Sequence, residues 1–142
     1  MKYKSNRISE IFVDVSSVKI LNFLSMNINK QDIIIDDASH NLRDILISFS
    51  ILFKKLKNGG IYVIEDMDQF KVIKELNPYK KNESTPKEIL KKIKNRRKFH
   101  SSFISEKDKV YLTKNIKDIK IEKGSMIMKE KNISDIAFIF KR

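Results

Sequence analysis

The stretch "DIIIDDASHNLRDILISFSILFKKLKNGGIYVIED", Asp32 to Asp66, decides the fold of this chain. Ile33, Ile34 and Ile35 run without a polar break, which predicts a strand covered on both faces. From His40 to Lys57, apolar residues at Leu42, Ile45, Leu46, Phe49, Phe53 and Leu56 recur at helical spacing and predict an amphipathic helix. Asn58 and Gly59 can take the left-handed geometry that ends helices, so "NGG" is expected to stop it. "IYVIED", Ile61 to Asp66, reads as the next buried strand. Strand, helix and strand with short joints make a βαβ unit, which implies parallel pairing and a right-handed crossover.

Upstream, "EIFVDV" (Glu10 to Val15) is β-branched and aromatic and predicts a strand. "SVKILNFLSM" places Val18, Leu21, Phe23, Leu24 and Met26 closer to helical than to alternating spacing. Downstream, "TPKE" (Thr85 to Glu88) reads as a capping box with Pro86 at the first helical position, opening a basic helix through about Arg97. "SEKDKVYLTKN" starts with a serine followed by acids and predicts a further short helix. "IKDIKIEKG" alternates through Ile116, Ile119 and Ile121 as a half-exposed strand does, and "SDIAFIFKR" reads as a final strand. A connector near Gly124 is compatible with an antiparallel hairpin closing the sheet.

The chain has 142 residues, enough for one domain with a hydrophobic core. Apolar residues at 41% and charged residues at 34% fit a globular protein rather than a disordered one. Without cysteine, disulfides and thiolate metal sites are excluded. No apolar run approaches a membrane span and "MKYKSNRISE" lacks the apolar core of a signal peptide, so a cytoplasmic location without membrane contact is expected. The net charge of +12 raises nucleic acid as a partner, yet lysine is abundant throughout and only residues 80–98 form a basic concentration. Few aromatics interleave with Lys91, Lys92, Lys94, Arg96, Arg97 and Lys98, so base stacking is poorly provided for. His100, in a connector beside Phe99, is assigned no role.

Two consecutive strands end in acids, Asp36 and Asp37 on one, Glu65 and Asp66 on the other. In an open parallel sheet, ligands sit just outside the carboxyl ends of the strands, so neighbouring strands would bring these carboxylates to one crevice. Clustered like charges need compensation, and a hard divalent ion with oxygen ligands supplies it; magnesium suits a few carboxylates plus waters. With no cysteine and only two histidines, zinc is disfavoured. His40, near the start of the following helix, can overhang the crevice as a general base. A second reading stays open, in which the acids cap the helix and His40 is a polar helix-start residue.

Taken whole, Asp32 to Asp66 resembles the S-adenosylmethionine-dependent sugar O-methyltransferases of the macrocin and mycinamicin type. Those enzymes carry a pattern close to D-(I/V)-I-I-D-D-G-S-H, then a helix ending "LFxxLxxGG", then "YVIED". The resemblance is close over about thirty-five residues and looser over most of the rest, including "SDIAFIFK". It implies an α/β, Rossmann-like class I methyltransferase fold using S-adenosylmethionine and Mg2+, with residues 1–142 as a single partial domain. It further implies that Asp37, Glu65 and Asp66 bind the metal and that His40 removes the proton of a sugar or small-molecule hydroxyl acceptor. The chain departs from the pattern with Ala38 in place of glycine, "DVSSV" where "GDQSD" is usual, and "MDQFK" where "LHTSY" often follows.

The family's glycine-rich turn is not found either, since no glycine precedes Gly59. The first strand here resembles the family's third, so the fold is expected to be incomplete, lacking the first two strands, with a mostly parallel sheet closed by a C-terminal antiparallel hairpin. In the family's sheet order, 3-2-1-4-5-7-6, this leaves "DIIID" as an apolar edge. Either "EIFVDV" shifts over to cover it, another chain pairs there, or the chain is poorly stable by itself. The expectation is a truncated or half-domain form, completed by a second polypeptide or a homo-oligomer, with little activity alone. The competing reading is a non-catalytic basic module that contacts nucleic acid or an acidic partner through residues 80–98.

Overall fold

The computed structural model describes residues 8–76 and 83–142, so the first three residues of the basic stretch 80–98 lie outside the described part. Its framework is the βαβ unit expected above: β1 (Gln31–Asp36), α2 (Leu42–Leu52) and β2 (Leu56–Ile64), preceded by α1 (Val18–Asn27). β1 and β2 pair in parallel, Ile33 opposite Ile61 and Asp36 opposite Ile64. α3 (Pro86–Lys94) and α4 (Glu106–Asn115) follow, then β3 (Ile116–Glu122), a small ribbon of β4 (Ile127–Met128) and β5 (Lys131–Asn132), and β6 (Ile136–Lys141). The main sheet has the order β1-β2-β6-β3, with β6 antiparallel to both neighbours. Three strands therefore run one way and β6 alone the other. This order equals the last four places, 4-5-7-6, of the arrangement the resemblance implies.

The helices have local causes visible in the sequence. Thr85 and Glu88 form the expected capping box on α3, with Pro86 at its first position. Ser105 caps α4 by accepting from the Asp108 amide, and Ser17 caps α1 by accepting from that of Ile20. Helix α2 is shorter than its spacing suggests. It ends at Leu52, and a single 3-10 turn over Phe53–Lys55 leads directly into β2. The glycines are not the stop but part of the strand. Gly59, at φ 78°, lies where five residues of β2 (Leu56 to Gly60) run against two of β1, so the pairing jumps from Gln31–Leu56 to Ile33–Ile61.

The core lies between one face of the sheet and helices α2, α3 and α4, with Leu46, Phe53, Leu56, Tyr62, Ile89, Leu112 and Ile139 fully buried. Phe49 meets Phe53 and Tyr62 edge to face at its centre, with centroids 5.6 and 5.4 Å apart. The Lys141 ammonium, buried beside Phe53, donates to the Leu56 carbonyl at 2.7 Å and so satisfies the end of the 3-10 turn.

Two expectations fail for one physical reason. "EIFVDV" forms no strand: Phe12 is fully exposed, and Asp14 instead makes a tight turn with the Ser16 amide and hydroxyl. "DIIID" is not covered on both faces, because Ile33 and Ile35 are 59% and 61% exposed while Ile34 faces the core. A strand needs a neighbour to take its backbone groups, and the described residues offer none on the outer side of β1. Among the described residues, no helix is long and apolar enough to cross a membrane.

Candidate active site

Because β1 and β2 are adjacent and parallel, both acidic ends arrive at one level of the sheet, where the Glu65 amide donates to the Asp36 carbonyl at 3.0 Å. The pleat then divides the first acidic pair. Asp36 turns inward and accepts from the Tyr62 hydroxyl at 2.9 Å. Burial pushes its carboxyl up to about 6, against the opposing effects of the Tyr62 hydrogen bond and the charge of His40. Tyr62, fully buried beside that carboxylate, is held well above the usual phenol range by burial and then by the charge of Asp36.

Asp37 turns outward. It stands 3.6 Å from His40 Nε2, and donor atoms of Asp37, His40 and Asp66 all lie within 4.8 Å of one another. Asp37 is exposed and the other two are half-buried. Of the four residues picked out in the sequence, the structure thus brings three together; Glu65 lies outside this group. His40 and Asp66 have left-handed backbones, φ 52° and 48°, a conformation that side-chain-bearing residues adopt at a cost. Ala38 is not among the left-handed residues, so alanine sits at this position without backbone strain.

The capping alternative does not hold for the acids. The N-cap of α2 is Asn41, whose side chain accepts from the Arg43 amide at 3.0 Å, and His40 precedes the helix. The loop that carries His40 is fastened from below. Ser39 donates its hydroxyl to the buried Asp44 at 2.9 Å and accepts from the Asn41 amide at 3.3 Å. Arg43 bridges Asp44, at 2.8 Å, to the Ser16 carbonyl, at 3.0 Å. On the other side, Gln69 donates to Asp66 Oδ2 at 2.7 Å. Sequence reasoning missed Ser39, Asp44 and Gln69. The first two had a signal, since a serine and an aspartate five apart bracket the helix start; Gln69 had none.

The chain matches no protein-family model. It is 36% identical over 66 residues to the 8-demethyl-8-alpha-L-rhamnosyl tetracenomycin-C 2'-O-methyltransferase of Streptomyces olivaceus, covering 46% of this chain and 18% of that protein. It is 39% identical over 61 residues to the mycinamicin VI 2''-O-methyltransferase of Micromonospora griseorubida, covering 43% of this chain and 15% of that one. The solved structure of the MycE methyltransferase from the mycinamycin pathway, in complex with Mg, SAH and mycinamycin VI, superposes on 97% of this chain. The TM-score is 0.62 at 25% identity, and the match takes in 33% of the MycE chain. The similarity therefore spans less than a fifth of the curated relatives and about a third of the solved structure.

Proposed function

We propose that this chain carries the metal- and acceptor-binding part of an S-adenosylmethionine-dependent O-methyltransferase acting on a sugar or other small-molecule hydroxyl. The observation that carries this reading is the convergence of Asp37, His40 and Asp66 at the carboxyl ends of β1 and β2, in a fold shared with MycE. Two carboxylates with donor atoms that close suit magnesium, which takes few protein ligands and keeps waters and substrate oxygens. Asp37 and Asp66 hold the ion, and Glu65 joins them on the strength of the sequence pattern. When bound, the ion supplies positive charge that favours the ionised form of the acceptor hydroxyl. His40 accepts the hydroxyl proton at an imidazole nitrogen, and the Ser39–Asp44–Arg43 network keeps its loop in place.

The methyl donor finds less here. A backbone that approaches a nucleotide closely needs a glycine-rich turn after a strand, and these residues contain none before Gly59. The cofactor pocket accordingly belongs largely to polypeptide outside these 142 residues, seated along the edge of β1 that no described residue pairs with. A second copy of this chain lacks the same turn, so a different segment is required. The basic-module alternative is not favoured, since the relatives found are methyltransferases. Its charges also divide: Lys87 and Lys91 line one cleft, whereas Arg96, Arg97 and Lys98 line another.

The test is titration of Mn2+, a spectroscopic stand-in for magnesium, into the folded chain. Asp37→Asn and Asp66→Asn each weaken binding by about tenfold or more, as expected for loss of a carboxylate ligand. Unchanged affinity in both variants would remove the metal site. Calorimetric titration of S-adenosylmethionine into the chain alone gives no heat, and micromolar binding would overturn the shared cofactor pocket.

A further inference from the structure

Two residues past Asp66, within about 7 Å of extended backbone, the chain enters a cleft of about 550 Å³. It is bounded by the segment after β2, the first turns of α3, the end of β3 and the β4–β5 ribbon, and so opens on the carboxyl edge of the sheet. Five lysines line it, Lys71, Lys87, Lys91, Lys123 and Lys131, against two aspartates, Asp68 and Asp135. The aspartates are buried, at 3% and 4% exposure, and are occupied. Asp68 pairs with Lys71 at 2.5 Å and Lys87 at 3.7 Å, and Lys87 also pairs with Asp135, which accepts from the Gly124 amide at 3.2 Å. Among the described residues Lys91, Lys123 and Lys131 have no carboxylate within ion-pair distance.

This arrangement differs from a solvated basic face. Two buried carboxylates fix two of the ammonium groups, and three exposed lysines with no ion-pair partner among the described residues line the same cleft. Like charges converging in a concave, partly apolar setting repel one another and concentrate anions. Ile121 gives one apolar wall, against which a sugar or base ring can lie.

We propose that this cleft binds the phosphate or pyrophosphate group of the methyl acceptor, so that the substrate is a phosphorylated or nucleotide-linked sugar. The inference rests on the proposed function for the neighbouring hydroxyl site, but the cleft itself is defined by separate residues. A diphosphate bridging Lys91, Lys123 and Lys131 leaves the sugar to extend towards Asp66, Asp37 and His40.

The experiment is calorimetric titration of inorganic pyrophosphate, with inorganic phosphate as a second probe, into the chain in chelator at about 0.15 M salt, where weak surface attraction is screened. Saturable one-to-one binding is expected. The Lys91→Ala/Lys123→Ala/Lys131→Ala variant should lose about tenfold or more in affinity. A control of equal charge loss outside the cleft, Lys19→Ala/Arg96→Ala/Lys117→Ala, should change it by less than about threefold. All six side chains are exposed and none belongs to the ion pairs of Asp68 and Asp135, so both variants are expected to fold, as circular dichroism would verify. No saturable binding, or equal losses in both variants, would overturn the proposal. A nucleotide-linked sugar that binds more tightly than pyrophosphate supports the acceptor assignment; one that binds more weakly than pyrophosphate contradicts it. Because neither metal nor methyl donor is present, failure here is separable from failure of the Mn2+ titration.

Discussion

Asp36 and Asp37 are identical and adjacent, yet their surroundings give them different tasks. Asp36, half-buried against Tyr62, has its carboxyl pushed up to about 6, whereas Asp37 faces the crevice. The folded chain thus holds the Asp36 proton more tightly than the unfolded chain, whose carboxyl titrates near 3.8. The sign follows from linkage: this group's contribution is fully present below about pH 3.8 and declines as pH rises towards about 6. Asp36→Asn keeps an acceptor for Tyr62 and removes the titration. In chelator, the difference in unfolding free energy between variant and wild type should therefore grow in the variant's favour from pH 4 to 7. A difference independent of pH in urea titrations would refute this. His40 and Asp37 are told apart by function. In an enzyme completed with its cofactor segment, His40→Ala should abolish turnover yet leave Mn2+ affinity within about threefold, as expected when a base is lost and the oxygen ligands remain. A matching loss of Mn2+ affinity would make His40 a ligand.

At the scale of elements, the glycine pair in β2 shows what pattern reading could and could not find. The strand-helix-strand order, the capping box of α3 and the serine cap of α4 were all legible, because each depends on residues close in sequence. The role of "NGG" was not, because it depends on β1. Gly60 lies against β1: a Cβ there would stand 2.9 Å from the Asp32 carbonyl oxygen and 3.0 Å from that of Lys57. Gly59 has open space around it and only its left-handed backbone to protect. Gly60→Ala should therefore destabilise the fold by about 1–3 kcal/mol through backbone displacement. Gly59→Ala should cost about 1 kcal/mol, the strain of a left-handed alanine. Urea unfolding of the two variants decides the order. The candidate site was legible for a related reason: acids at the ends of consecutive strands must meet if the strands pair. That argument could not separate Glu65 from Asp66 or reveal Gln69, since both depend on loop geometry after the strand.

Among the described residues, the sheet has one covered and one uncovered face. Helices α2, α3 and α4 close the first, and the second shows Ile33 and Ile35 exposed, with Ile61, Phe138 and Phe140 only partly covered. The alternation of β6, with Ala137 and Ile139 buried and Phe138 and Phe140 half-buried between them, places aromatic rings on the open side. Helix α1, packed on α2 and so not part of this face, separately exposes Phe23 and Met26, at 64% and 75%. Apolar surface grouped in this way marks an interface rather than a free surface. Its part on β1, Ile33 and Ile35, adjoins the edge where the proposed function seats further polypeptide. The chain alone should therefore bind the dye ANS, and Ile33→Thr/Ile35→Thr should lower that fluorescence while shifting stability by under about 1 kcal/mol, because side chains already exposed lose little on replacement. Adding a polypeptide that carries the glycine-rich cofactor segment should quench the dye in the wild type and restore binding of S-adenosylmethionine. If that segment restores cofactor binding with the dye signal unchanged, the open face is not where it docks. If it quenches the dye without restoring cofactor binding, the face is an interface but not half of a shared pocket.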